Sequence, residues 1–138
     1  MIKLKFKSVV FAALFLFGLS FSVFAQGGGK AEPLRISFKT GDDSATVTGK
    51  LKTDEQYEFV FGAKSNQKIA LKIRSLPPGK FTTFEISGAD NNFAAEADKN
   101  GSLTFAAPET GDYLIFVKLL PNAGKTKQAK FALTLTIK

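Results

Sequence analysis

Residues 57–74 read Tyr-Glu-Phe-Val-Phe-Gly-Ala-Lys-Ser-Asn-Gln-Lys-Ile-Ala-Leu-Lys-Ile-Arg, and this stretch decides the fold class. Tyr57, Phe59 and Phe61 alternate with Glu58 and Val60, and Ile69, Leu71 and Ile73 alternate with Lys68, Lys72 and Arg74. A period of two is the mark of a strand with one buried face, because successive side chains leave opposite faces of the backbone. Lys64-Ser65-Asn66-Gln67 is a tight connection between them, with Asn66 the residue expected at positive φ. Pro77-Pro78-Gly79 stops the second strand.

The same pattern extends in both directions. Toward the N-terminus, Leu34, Ile36 and Phe38 alternate with polar residues, Gly41-Asp42-Asp43-Ser44 is turn chemistry, and Ala45, Val47, Gly49 and Leu51 alternate again. Toward the C-terminus, Phe84 and Ile86, then Leu103 and Phe105, then Tyr113, Ile115 and Val117, and finally Phe131, Leu133, Leu135 and Ile137 mark four more strands. Polar turns separate them at Gly88–Asn92, Asp98–Gly101, Pro108–Asp112 and around Pro121–Gly124. Residues 93–97 fit neither strand nor turn cleanly, and Phe93 is expected to plug one end of the fold. Eight short strands with no 3.6-residue period make an all-β sandwich or barrel. Alternation puts most of the aromatic residues inward, and Phe59, Phe61, Leu71, Phe105, Ile115 and Leu133 are the expected interior.

The first 25 residues stand apart. Lys3, Lys5 and Lys7 precede an unbroken apolar run from Val9 to Phe17, and Val23-Phe24-Ala25 offers small residues for cleavage before Gln26. That is the layout of a signal peptide, with export to the periplasm or beyond as its consequence. An uncleaved anchor over Val9–Ala25 is the competing reading, opposed by the cleavage site and by the polar, Gly-rich sequence that follows. Gln26–Pro33 reads as a leader to a domain over 34–138.

Composition removes whole classes of function. The 138 residues contain no His and no Cys. A Ser-His-Asp triad, a Cys nucleophile, a thiolate or imidazole zinc site and a disulfide are therefore excluded. Asp42-Asp43, Asp90-Asn91-Asn92 and Asp98-Lys99-Asn100-Gly101 could offer oxygen ligands, but the spacing of a calcium loop is absent and turn chemistry accounts for them. No metal, no cofactor and no catalytic residue is assigned. After Ala25 the chain holds 16 basic and 12 acidic groups, a net of +4, with Arg only at Arg35 and Arg74, which gives nucleic acid little to bind. The excess sits in residues 113–138, where Lys118, Lys125, Lys127, Lys130 and Lys138 meet no acid. An acidic partner, or simple solvation of an edge strand, explains such a segment.

Residues 34–73 carry, in order, Leu-Arg-Ile-Ser-Phe-Lys-Thr-Gly, Ser-Ala-Thr-Val-Thr-Gly, Tyr-Glu-Phe-Val-Phe-Gly-Ala-Lys and Asn-Gln-Lys-Ile-Ala-Leu-Lys-Ile. Residues 103–117 read Leu-Thr-Phe-Ala-Ala-Pro-Glu-Thr-Gly-Asp-Tyr-Leu-Ile-Phe-Val. From Leu34 to the C-terminus this order resembles the periplasmic inhibitors of goose-type (g-type) lysozyme and, more broadly, the pre-peptidase C-terminal-like β-sandwich family. The Ala-Lys-x-Gly-Gln hairpin of such proteins stands here as Ala63-Lys64-Ser65-Asn66-Gln67, with Asn in the Gly place.

The resemblance implies an antiparallel β-sandwich of about eight strands and a monomeric, non-catalytic binding protein whose partner is a lysozyme. It also implies a contact surface built from a strand region, here Thr48-Gly49, and from the basic segment before the last strand, here Pro121–Lys127. Thr48, Gly49, Asn122, Lys125 and Lys127 are thus the partner-binding candidates. Ammonium groups on such a segment complement the catalytic carboxyl of a lysozyme cleft. Two departures are visible: the segment has no Arg, whose fork a Lys cannot reproduce, and Leu51 supplies no aromatic hydroxyl near Gly49. The other function open to this family is a pre-peptidase C-terminal-like module that binds carbohydrate, cell-wall polymer or a secreted partner.

Overall fold

The structure, a computed structural model, describes residues 32–76, 78–79, 81–88, 90, 92–120 and 128–138. Nine strands run through them: β1 (Leu34–Arg35), β2 (Ser44–Lys52), β3 (Gln56–Ala63), β4 (Lys68–Leu76), β5 (Thr82–Gly88), β6 (Ala94–Glu96), β7 (Ser102–Ala106), β8 (Gly111–Leu119) and β9 (Gln128–Ile137). They form two packed sheets, one ordered β1-β3-β8-β5-β6 and the other β2-β9-β4-β7. The expected sandwich is present, and the ninth strand is β6, which resolves the ambiguous 93–97 stretch by pairing with β5. All pairings are antiparallel except one. β1 runs parallel to β3 for two residues, so Leu34 is 58% exposed, while Ile36 and Phe38 reach the core just past the strand's end.

The connection at residues 64–67 is tight, and Asn66 does adopt a φ of 70°. It is not a hairpin, however. β3 and β4 lie in different sheets, and the connection carries the chain from one to the other. Among the described strands, β5 and β6 are the only consecutive pair that shares a sheet; every other connection crosses. Such corners leave backbone groups that no ladder satisfies, and each needs a local partner. At this corner Lys64 N–H donates to the Gln67 side chain at 2.7 Å. The Asn66 amide donates to the Ala107 carbonyl and the Ala107 amide to the Gln67 carbonyl, both at 2.8 Å, which ties the β3–β4 corner to the β7–β8 corner. Tyr113 fastens the second corner further: its hydroxyl donates to the Glu109 carbonyl at 2.7 Å and accepts from the Glu109 amide at 3.2 Å. The β4–β5 crossing is closed by a buried hydroxyl pair, Ser75 and Thr82, 2.9 Å apart.

The inward faces meet in one core. Phe61, Phe84, Phe131, Leu51, Ile69, Ile115, Leu133 and Leu135 are fully enclosed. Aromatic rings divide it into two clusters: Tyr57, Phe59 and Phe131 at one end, Phe61, Tyr113, Phe105 and Phe93 at the other. Of the expected interior residues, Phe105 alone is only half-buried, because β7 is an edge strand; its ring stacks on Phe93 at 4.7 Å, which makes Phe93 the end plug that the sequence suggested.

Two measurements test this account. Phe61→Ala deletes a fully enclosed ring and should cost about 3–5 kcal/mol in urea titration; a loss under about 1 kcal/mol would mean that the core closes differently. Asp98 accepts the amides of Ser102 and Asn100 at 3.0 and 2.8 Å, and these bonds hold its pKa below the usual carboxylate value. A carboxyl depressed by folding stabilises above its unfolded pKa, about 3.9, and loses that contribution as the pH falls through its folded pKa. Asp98→Ala should therefore lower the melting temperature at pH 7, with the gap to the parent protein narrowing below pH ~4.

Candidate partner-binding surface

The two halves of the proposed surface start from β2. It is an edge strand paired only with β9, and the register sets Thr48 opposite Ala132 and Gly49 opposite Phe131. Thr48 points outward and is exposed. Gly49 points inward, and a Cβ there would sit 2.7 Å from Cε1 and Cζ of Phe131 and 3.0 Å from Cζ of Tyr57. Those two rings meet edge to face at 5.3 Å and fill the space a side chain would need. Gly49 is thus required by packing, whatever else it does, and Thr48 alone presents a side chain to a partner.

Asn122, Lys125 and Lys127 lie outside the described residues. The chain is described again at Gln128, which pairs with Lys52; Thr48 is four residues further along the ladder, about 13 Å by strand rise. Between them the register brings together residues that sequence reasoning missed. Lys50 stands directly opposite Lys130, and Lys130 opposite Leu76 on β4. With Gln128 and Ala129 these side chains line a shallow depression of about 410 Å³, in which Leu76 is 44% exposed. Like charges placed opposite one another in a ladder are destabilising, and an exposed leucine beside them gains little from folding.

The charge pattern extends over the whole sheet. β2, β4, β7 and β9 contain no Asp or Glu, while Lys50, Lys52, Lys68, Lys72, Arg74 and Lys130 all project from the outer face. Asp42, Asp43, Asp54, Glu55 and Asp98 lie outside the strands, in the connections that flank them. The other sheet is the reverse. Its strands carry Glu58, Glu85, Glu96 and Asp112 against Arg35 and Lys118, and both cations are ion-paired. Arg35 donates to Asp112 through both arms of its fork, at 2.7 and 3.2 Å, which lowers the Asp112 pKa and raises that of the guanidinium. Lys118 binds Glu85. Among the described residues no three His, Cys, Asp or Glu side chains are grouped to hold a metal ion.

No family model matches this chain. It is 28% identical to the inhibitor of g-type lysozyme of Escherichia coli K12, over 98% of this chain and all of the relative. The crystal structure of Aeromonas hydrophila PliG, a periplasmic inhibitor of g-type lysozyme, superposes with a TM-score of 0.67 at 22% identity, covering 77% of this chain and 96% of that one. The pre-peptidase C-terminal domain of a Bacillus anthracis collagenase gives a TM-score of 0.60 at 21% identity, covering 81% and 100%. The two solved structures share the fold of this chain.

The opposite roles read for Thr48 and Gly49 separate in a stability measurement. Gly49→Ala drives a methyl group into Phe131 and Tyr57 and should cost about 1–3 kcal/mol. Thr48→Ala, one residue away but facing solvent, should stay within about 0.5 kcal/mol of the parent in the same denaturant titration.

Proposed function

We propose that this chain is an exported inhibitor of g-type lysozyme, a binding protein and not an enzyme, acting as a monomer from the periplasm. The observation that carries this is the end-to-end relation to the Escherichia coli inhibitor, which leaves no part of that relative unmatched. The surface supports it. A lysozyme cleaves its glycan with a carboxyl group poised in a cleft, and an inhibitor that offers ammonium groups there offsets the charge as it excludes water.

The contact surface in this reading lies where β2 and β9 meet. Asn122, Lys125 and Lys127 enter the cleft, Lys50 and Lys130 flank its rim, and Leu76 supplies the apolar contact that dries the interface. Thr48 offers a hydroxyl at the border, while Gly49 contributes by letting Phe131 hold β9 in register. Charges placed at the rim raise the encounter rate and are screened by salt, whereas a Lys buried against a carboxylate governs dissociation.

The test is lysis of a peptidoglycan substrate by a g-type lysozyme with the purified chain, residues 26–138, in excess. Inhibition is expected, and Lys125→Ala with Lys127→Ala should weaken it by about 2–5 kcal/mol. Full lysis in the presence of the unaltered protein overturns the function. Undiminished inhibition by the double variant overturns the assignment of the contact to those residues.

A further inference from the structure

The outer face of the four-stranded sheet points to a second binding activity, independent of the lysozyme reading: we infer that it binds a linear anionic polysaccharide. Its cations are arranged as a band. On β4, Lys68, Lys72 and Arg74 all leave the same face, Lys130 follows on β9, and Lys50 and Lys52 continue it on β2. In register, Lys72 shares a row with Thr134 and Thr46, Arg74 with Ala132 and Thr48, and Leu76 with Lys130 and Lys50. Outward positions on one strand repeat about every 6.8 Å, so the band crosses the sheet diagonally over roughly 30 Å. Only Lys50 and Lys130 share a depression, and the six charges do not converge on one pocket, as they would for a small anion. They are strung out, as an extended polyanion would need.

The rest of the face selects among polyanions. Between the cations stand hydroxyls: Thr48 and Thr104, and the pairs Ser44–Thr136 and Thr46–Thr134, hydrogen-bonded at 3.1 and 2.9 Å. No aromatic ring projects from it, so it lacks the stacking platform by which proteins hold unpaired nucleic-acid bases. Away from the corner formed by Lys50, Lys130 and Leu76, the stretch around Lys68, Lys72 and Arg74 offers no aromatic or apolar anchor of the kind that holds a protein partner. Leu76 alone is exposed among its large apolar residues, too little to enter a bilayer. Exposed ammonium groups alternating with hydroxyls suit a hydroxyl-rich chain that carries carboxylate or sulfate groups. The face accepts the repulsion of Lys50 against Lys130 with no carboxylate from its own strands to relieve it, and a polyanion supplies that relief.

The experiment titrates the chain, residues 26–138, with polygalacturonate, dextran sulfate and neutral dextran at 50 and 200 mM salt, with no lysozyme present. Binding to the two anionic polymers and not to dextran is expected, with a loss of at least about 10-fold between the two salt concentrations as the release of condensed counterions becomes less favourable. Lys72→Ala with Arg74→Ala, both exposed, should lower affinity about 10-fold at 50 mM salt and flatten the salt dependence. Lys72→Arg with Arg74→Lys should restore it. Lys39→Ala with Lys64→Ala, which removes the same charge from outside the sheet, should leave binding unchanged. An equal loss from that control pair, equal binding of neutral dextran, or capture by anionic phosphatidylglycerol vesicles in place of the polymers overturns the inference.

Discussion

A sandwich whose chain changes sheet at nearly every turn can close only if its corners are held, because among the described strands only β5 and β6 are paired with the next in sequence. Here two corners hold each other. The amide of Asn66 and the carbonyl of Gln67 bond to Ala107, and Tyr113 anchors the segment just beyond through Glu109. These few bonds tie the turn between β3 and β4 to the turn between β7 and β8, one corner in each sheet-to-sheet crossing. The two aromatic clusters then fill the space between the sheets, one under these corners and one beneath Gly49.

That assignment also creates the electrical character of the molecule. Each strand, taken singly, is an ordinary amphipathic ladder with charged residues on its wet side. Crossing connections put four acid-free strands in one sheet and every acid-bearing strand in the other, where β1 adds Arg35. The five-stranded sheet pairs both of its cations, Arg35 with Asp112 and Lys118 with Glu85, while Glu58 and Glu96 leave it a small negative excess. Exposed pairs of this kind add little stability, and their effect is that no cation of that sheet is left over. The four-stranded sheet has no carboxylate on its strands to do the same, so its positive charge is available to something else.

How much of this could be read from the residues follows from what a two-residue period encodes. Alternation tells which side chains face inward, and so the strands, Phe61, Leu71, Ile115 and the positive φ of Asn66 were legible. Inward means the same thing for both sheets, so alternation could not say that residues 64–67 form a crossing, nor that Lys50, Lys130 and Leu76 share a row. Those relations join residues far apart in the chain and exist only through register. Gly49 was misleading for a related reason: a glycine in a strand marks a close approach, but only the fold reveals that the approaching groups are Phe131 and Tyr57 rather than a ligand. Asp54, at a φ of 67°, turns the chain between β2 and β3, and a two-residue period carries no mark of it.

The place of β9 makes it the keystone of its sheet. It is the ninth of these strands, yet it lies inside, flanked by β2 on one side and β4 on the other. Without it β2 has no neighbour in the sheet and β4 has only β7. Phe131, Leu133 and Leu135, all fully enclosed, would leave the core with it. The eight strands that precede it therefore cannot close the sandwich by themselves, and residues 128–137 complete it.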